Sequence, residues 1–270
     1  MRGRSAVGIG SLGVGGFLVV LVLSWLSGTN LFSLLGTDSS APSQSVGTSG
    51  EIRSTPAEER MVDFVDAVAE DAQAMWAQKL GSRYQRTVVV LFRDAVQSAC
   101  GTAESATGPF YCPADNKVYL DLGFFNELSQ RFGAPGDFAQ AYVITHEFGH
   151  HVQHLLGLNE RASSDRRSGE NSASVALELQ ADCFAGIWGH DAAQAGRAQK
   201  GKVELDPGDV DEALRAAASI GDDRLQKMTT GRVMPDRFTH GSSAQRVAWF
   251  TRGMNAGDPG GCTASSSTTR

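Results

Sequence analysis

The sequence has no C-x-x-C pair, no run of basic residues and no internal repeat. Without paired cysteines, a cysteine-built zinc site is not expected. Without a basic stripe, and with a net charge of −6, nucleic acid is not expected as a partner. No cysteine precedes Cys100, so a cysteine-linked lipid at the N-terminus is excluded as well. Histidine is scarce, at six residues in 270, yet four of the six stand between positions 146 and 154.

The one long apolar run covers residues 7–26 and follows Arg2 and Arg4. A bilayer-spanning helix needs about 20 such residues, whereas a cleavable signal core has about 7–15. The expectation is therefore a cytoplasmic stub and transmembrane signal anchor over 1–27, with a cleaved signal peptide as the alternative. Basic residues before the span place the N-terminus inside and the remainder outside, as a single-pass protein of the cell membrane. Residues 28–54 are rich in Ser, Thr and Gly and read as a flexible linker. Residues 55–262 suit one domain with a full core, and 263–270 a disordered tail.

Cys100, Cys112, Cys183 and Cys262 are an even set, which in an exported domain predicts two disulfides of three possible connectivities. Cys100 and Cys112 flank a Gly-, Thr- and Pro-containing loop that suits a local bridge, leaving Cys183 for Cys262. Buried free thiols are the alternative.

Thr55-Pro56-Ala57-Glu58 is a capping box with proline at the first helical position, and Gly81 closes the helix it opens. Residues 87–92 read as a buried strand and 117–122 as an edge or half-buried one. A short helix follows over 124–132. Asp137 and Gln140 form a second capping-box pattern, opening a helix over 138–156 that Gly157 stops. Residues 159–172 read as a polar loop, 175–188 as a helix ended by Gly189, and 210–219 and 243–254 as further helices. Strands first and helices after give an α+β class, mainly helical with a small sheet.

Within the 138–156 helix, His146-Glu147-Phe148-Gly149-His150 spells H-E-x-x-H. Residues four apart project from one helix face, so two imidazoles can hold one zinc ion while Glu147 reaches a water beside it. His150 and His154 make a second pair, but with His151 where a base is needed. His151 and His154 are therefore read as structural or surface groups. A catalytic zinc takes three protein ligands, and Asp165, Glu170, Glu178 and Asp182 are the acids downstream. Glu178 and Asp182 share a helix face, with Ala181, Ala185 and Gly186 small enough for another helix to come close. Glu178 then suits the third ligand and Asp182 the hydrogen-bond acceptor that orients a ligand imidazole; a solvated acidic face is the alternative.

These residues, together with Phe110-Tyr111-Cys112-Pro113-Ala114-Asp115 and His240-Gly241-Ser242-Ser243-Ala244-Gln245-Arg246, resemble the bacterial putative neutral zinc metallopeptidase family over roughly residues 51–262. The resemblance implies a zincin-like fold behind an N-terminal membrane segment, one zinc ion on His146, His150 and Glu178, and Glu147 as general base. It implies no substrate beyond a peptide or protein. His240 is the candidate for stabilising the oxyanion, with Arg246 as the second candidate or as a holder of the site's geometry. The strand over 117–122 is a candidate for aligning an extended peptide by edge pairing. The function expected is a membrane-tethered zinc metalloendopeptidase. A non-catalytic, zinc-stabilised extracytoplasmic binding domain is the alternative.

Overall fold

In the computed structural model, the described residues are 54–104, 108–130, 133–134, 136–162 and 167–263. The expected stub and anchor lie outside them, as do the linker up to residue 53 and the tail from 264. The first described helix, α1 (Pro56–Leu80), opens on Thr55, whose hydroxyl accepts from the Glu58 amide while the Glu58 carboxylate accepts from the Thr55 amide. Its buried stripe runs through Val65, Val68, Ala72, Met75, Trp76 and Leu80.

Five strands follow: β1 (Val88–Phe92), β2 (Ala95–Ser98), β3 (Gly101–Glu104), β4 (Phe110–Cys112) and β5 (Lys117–Asp121). β2 and β3 form a separate antiparallel hairpin. The main sheet has the order β1-β5-β4, with β5 parallel to β1 and antiparallel to β4. This corrects two expectations. β1 is an outer strand whose Val88 is exposed, and β5 is the centre. The alternation of 117–121 suggested one wet face, but both faces are covered. Val118 and Leu120 join the main core, while Tyr119 packs with Phe92 and Cys112 and donates its hydroxyl to Asp115. A central strand has no free edge for a peptide; the outer strand on that side is β4.

The helices are α2 (Phe124–Gln130), α3 (Asp137–Leu155), α4 (Leu158–Ala162), α5 (Ala173–Ala192), α6 (Asp209–Ser219), α7 (Asp222–Thr230) and α8 (Ser243–Ala256). Asp137 is not a cap: Gly136 holds the N-cap position with no side-chain bond, and Asp137 lies in the first turn. Gly189 does not end α5. A Cβ there would lie 2.5 Å from Met254 Sδ, so its smallness serves packing against α8 and the helix runs on to Ala192. Part of the expected 159–172 loop is helical, in α4 and in a short 3-10 turn, Gly169–Asn171.

α5 lies at the centre of the helical layer, packed against both α3 and α8. Its crossings are made at glycines. A Cβ on Gly149 of α3 would come within 3.0 Å of the Ala181 backbone, and one on Gly253 of α8 within 1.9 Å of the Cys183 carbonyl oxygen. Disulfides join Cys100 to Cys112 and Cys183 to Cys262.

The α+β character holds, but the membrane anchor is withdrawn. Among the described residues no helix is long and apolar enough to cross a membrane, and the 7–26 stretch lies outside them. α1 carries charge along its outer face. α5, an apolar helix among those described, bears Glu178, Asp182 and Asp191 and presents its apolar sides to the core. The single-pass topology, the membrane as partner and the extracytoplasmic placement go with the anchor.

Candidate metal centre

The i, i+4 spacing on α3 points His146 and His150 the same way, with ring centroids 4.8 Å apart. The close approach at Gly149 and Ala181 sets the first two turns of α5 alongside. There the Glu178 carboxylate lies 3.2 Å from His146 Nε2 and 3.5 Å from His150 Nε2. Among the described residues these three form the group able to hold a metal ion, with ligand atoms within 4.8 Å of one another. They line a cleft of about 500 Å³ together with Glu147, Tyr111, Val143, Ile220, Leu225 and His240.

Behind these three residues lies a buried charge network. His146 Nδ1–H donates to Asp182 Oδ1 at 2.8 Å, which leaves Nε2 facing the cleft. Arg246, on α8, closes on the same carboxylate with two bonds of 2.8 and 2.9 Å, and Tyr142 donates to Asp182 from one turn before His146. Arg246 is 3 % exposed and Asp182 fully buried. Removal of either would leave a charge stranded in low dielectric. Burial alone would raise Asp182, but Arg246 and His146 hold it below the usual carboxylate range. Arg246 thus spends two of its N–H groups on Asp182, behind His146. The second imidazole has its own partner: His150 Nδ1 faces Gln153 Oε1 at 2.9 Å.

Glu147 is buried on the cleft wall. Burial raises its carboxyl above the ordinary value, against the opposing pull of His150 and His146. Glu178 is half-buried, and desolvation would raise it, yet the two imidazoles hold it well below that range. Neighbouring carboxylates thus have opposite tendencies, one ready to take a proton and one to stay charged.

His240 reaches the cleft from the turn before α8. Asp222 Oδ2, at the start of α7, accepts the backbone N–H groups of Thr239, His240 and Gly241 at 2.6–3.0 Å. The ring's Nδ1 lies 2.8 Å from Thr239 Oγ1 and 3.4 Å from Asp222 Oδ1. Desolvation by the cleft walls lowers the imidazole's pKa, but Asp222 and Glu178 together raise it above its ordinary value. The Asp222 part does not depend on whether Glu178 is engaged by a cation.

His151 and His154 stay outside the cluster. His151 is fully buried, donates from Nε2 to the Gln85 carbonyl at 2.6 Å and meets the Tyr111 hydroxyl through Nδ1 at 3.1 Å. Glu170 is exposed on its 3-10 turn, and Asp165 lies outside the described residues. Among the polar partners of the site, Tyr142, Gln153 and Asp222 carried no expectation. The first two were within reach of helical spacing, one turn before His146 and three residues after His150. For Asp222 no local signal existed.

The family described as "Putative neutral zinc metallopeptidase" matches residues 2–265. Uncharacterized protein YpfJ of Escherichia coli K12 is 42% identical over 254 residues, covering 92% of this chain and 85% of its own. Uncharacterized protein Rv2575 of Mycobacterium tuberculosis H37Rv is 45% identical over 202 residues, covering 73% of this chain and 68% of its own. No solved structure matches.

Proposed function

Because the chain belongs to the neutral zinc metallopeptidase family, we propose that it hydrolyses peptide bonds at one zinc ion held by His146, His150 and Glu178, with Glu147 as general base. The donor chemistry fits. Two neutral imidazoles and a carboxylate are a catalytic zinc set, and atoms bound tetrahedrally at zinc lie roughly 3.3 Å apart. The two Glu178 oxygens stand 3.2 Å from His146 Nε2 and 3.5 Å from His150 Nε2, and the ligand atoms all lie within 4.8 Å of one another, a spacing an ion would tighten. Both imidazoles hold their Nδ1 against a side-chain oxygen, which turns Nε2 towards Glu178, where an ion would sit between them.

When bound, zinc supplies the Lewis acidity that polarises a carbonyl and makes water a nucleophile near neutral pH. Glu147 takes the proton from the attacking water on a carboxylate oxygen and later gives it to the departing amine nitrogen. His240 donates from Nε2 to the oxygen that gains charge, its other nitrogen turned to Thr239 and Asp222. β4 forms one wall of the cleft, where an extended peptide can lie along its outer edge.

The observation that carries this reading is the convergence of three ligand atoms and the raised Glu147 carboxyl on one cleft. The purified chain should hold about one equivalent of zinc and cut a mixed peptide library read by mass spectrometry. Glu147→Gln should keep the zinc and cut about 10²–10⁴-fold more slowly. Less than about a tenth of an equivalent in the wild type would overturn the metal assignment. Undiminished cleavage by the variant would overturn Glu147 as base, and a zinc-loaded wild type that cuts nothing would overturn peptidase activity.

A further inference from the structure

His150 can bind a metal through Nε2 only if its proton sits on Nδ1. A neutral imidazole is free to place it on either nitrogen, and the hydrogen bond at the other end decides which. That partner is the Gln153 amide, which could offer an oxygen or an NH₂ group. An oxygen requires Nδ1–H and frees Nε2. An NH₂ group requires the wrong tautomer.

The surroundings of Gln153 settle the choice. Its Nε2 lies 2.6 Å from the Leu177 carbonyl oxygen and 3.2 Å from Gln180 Oε1, both on α5. Rotating the amide would set oxygen against the Leu177 carbonyl oxygen at that distance, with no water to relieve it, because Gln153 is fully buried. Gln180 is oriented in its turn: its Nε2 donates to the Cys262 carbonyl at 3.1 Å, so its oxygen faces Gln153. Cys262 is fully buried and bonded to Cys183, the residue that follows Asp182. Every N–H in this line points away from His150, and every oxygen towards it.

We infer that Gln153 is the positioning residue of His150, setting the tautomer that can bind metal, and that Gln180 and the disulfide-tied Cys262 carbonyl set Gln153. The inference rests on the reading that His150 is a metal ligand. It makes the last described turn of the chain part of the metal centre. Both ligand imidazoles are then oriented from α5, His146 by Asp182 and His150 through Gln153.

The test is zinc affinity, measured by competition with a chromophoric chelator, for the full chain and its Gln153→Ala, Gln153→Glu and Gln180→Ala variants. Alongside it, ¹⁵N spectra of histidine-labelled, metal-free protein, recorded at a pH high enough to leave His150 neutral, report the tautomer. Gln153→Ala should bind zinc about 10–100-fold more weakly and lose the fixed Nδ1–H signature of His150. Gln153→Glu keeps the acceptor, so affinity should return to within a few-fold, although its carboxylate faces Leu177 and lowers the melting temperature. Gln180→Ala, one link further out and half-buried, should lose affinity in the same direction by less. Wild-type affinity in Gln153→Ala would overturn the inference alone, as would a folded Gln153→Glu no better than Gln153→Ala. Should Gln153→Ala not fold, wild-type affinity in Gln180→Ala would overturn the relay. A wild type that takes no zinc would overturn the metal reading and this inference together.

Discussion

Three backbone N–H groups in a row, from Thr239 to Gly241, end on one oxygen of Asp222. The Asp222 amide answers by donating to the Gly241 carbonyl at 2.9 Å. A turn built this way depends on the charge of a single carboxylate. Burial pushes the Asp222 carboxyl up, but the bonds from His240 and its neighbours leave it below its usual 3.8. The folded state therefore favours the ionised form. The stabilisation is complete above about pH 4 and is lost as pH falls through the folded value. Asp222→Ala should cost about 2–4 kcal/mol at neutral pH, since hydrogen bonds to a charged group contribute about 1.5–3 each and are not additive. Asp222→Asn, which keeps a neutral acceptor, should cost about half of that. Denaturant titrations at pH 7 and pH 3 give the check. The gap between wild type and Asp222→Asn should narrow in acid; a constant gap would mean that the charge contributes nothing.

At the scale of elements, the site depends on how closely three helices approach. α3 brings the two histidines, α5 brings Glu178 and Asp182, and α8 brings Arg246 to clamp Asp182. Glycine permits both crossings. In a free helix, replacing glycine with alanine gains about 1 kcal/mol, so the sign of each substitution depends on the contact it meets. At Gly253 a methyl would lie 1.9 Å from the Cys183 carbonyl oxygen, which is backbone and cannot swing aside. Overpacking of that kind costs about 1–3 kcal/mol or more, so Gly253→Ala should lower the denaturation midpoint. At Gly149 the nearest atoms are 3.0 Å away, and the two effects nearly balance. Gly149→Ala should thus leave stability within about 1 kcal/mol while shifting α3 against α5 and weakening zinc binding. A destabilised Gly149→Ala with unchanged zinc affinity would contradict this division.

The same scale explains what the sequence made legible. α1 and α3 carry their limits in local chemistry: the Thr55–Glu58 box, the Gly81 stop and the positive-φ Gly157 are short-range signals. Spacing within a helix likewise made His146 with His150, and Glu178 with Asp182, readable as faces. The order β1-β5-β4 was not legible. Which strand is central depends on contacts between distant segments, and Tyr119 and Asp121 kept polar handles that suggested a wet face. Asp222 lies 18 residues from His240 and meets it only through the packing of α7 against the turn. The glycines 186 and 189 had readable positions, but their purpose required the partner helix. The capping pattern at Asp137 failed because Gly136, at φ 137°, takes the cap itself.

At the scale of the whole molecule, the two disulfides differ in what they close. Cys100 and Cys112 are 12 residues apart, Cys183 and Cys262 are 79 apart. In the chain-entropy account, opening the shorter loop costs about 3 kcal/mol and the longer about 4–5. A domain with about 5–15 kcal/mol of net stability would lose a large share of it with the second. The Cys183–Cys262 bond also pins the carbonyl that orients Gln180, next to the carboxylate that orients His146. If the site holds zinc as proposed, the ion and this disulfide act on the same part of the fold. The double variant Cys183→Ala/Cys262→Ala should lower the denaturant midpoint more than Cys100→Ala/Cys112→Ala. Zinc at about a thousandfold over its dissociation constant stabilises a native chain by about 4 kcal/mol. The Cys100/Cys112 variant should gain that amount at the same zinc concentration as the wild type. The Cys183/Cys262 variant should need more zinc for the same gain, because its native state binds the ion less tightly. Equal zinc dependence in both variants would separate the tail from the metal centre and leave the longer disulfide as a crosslink only.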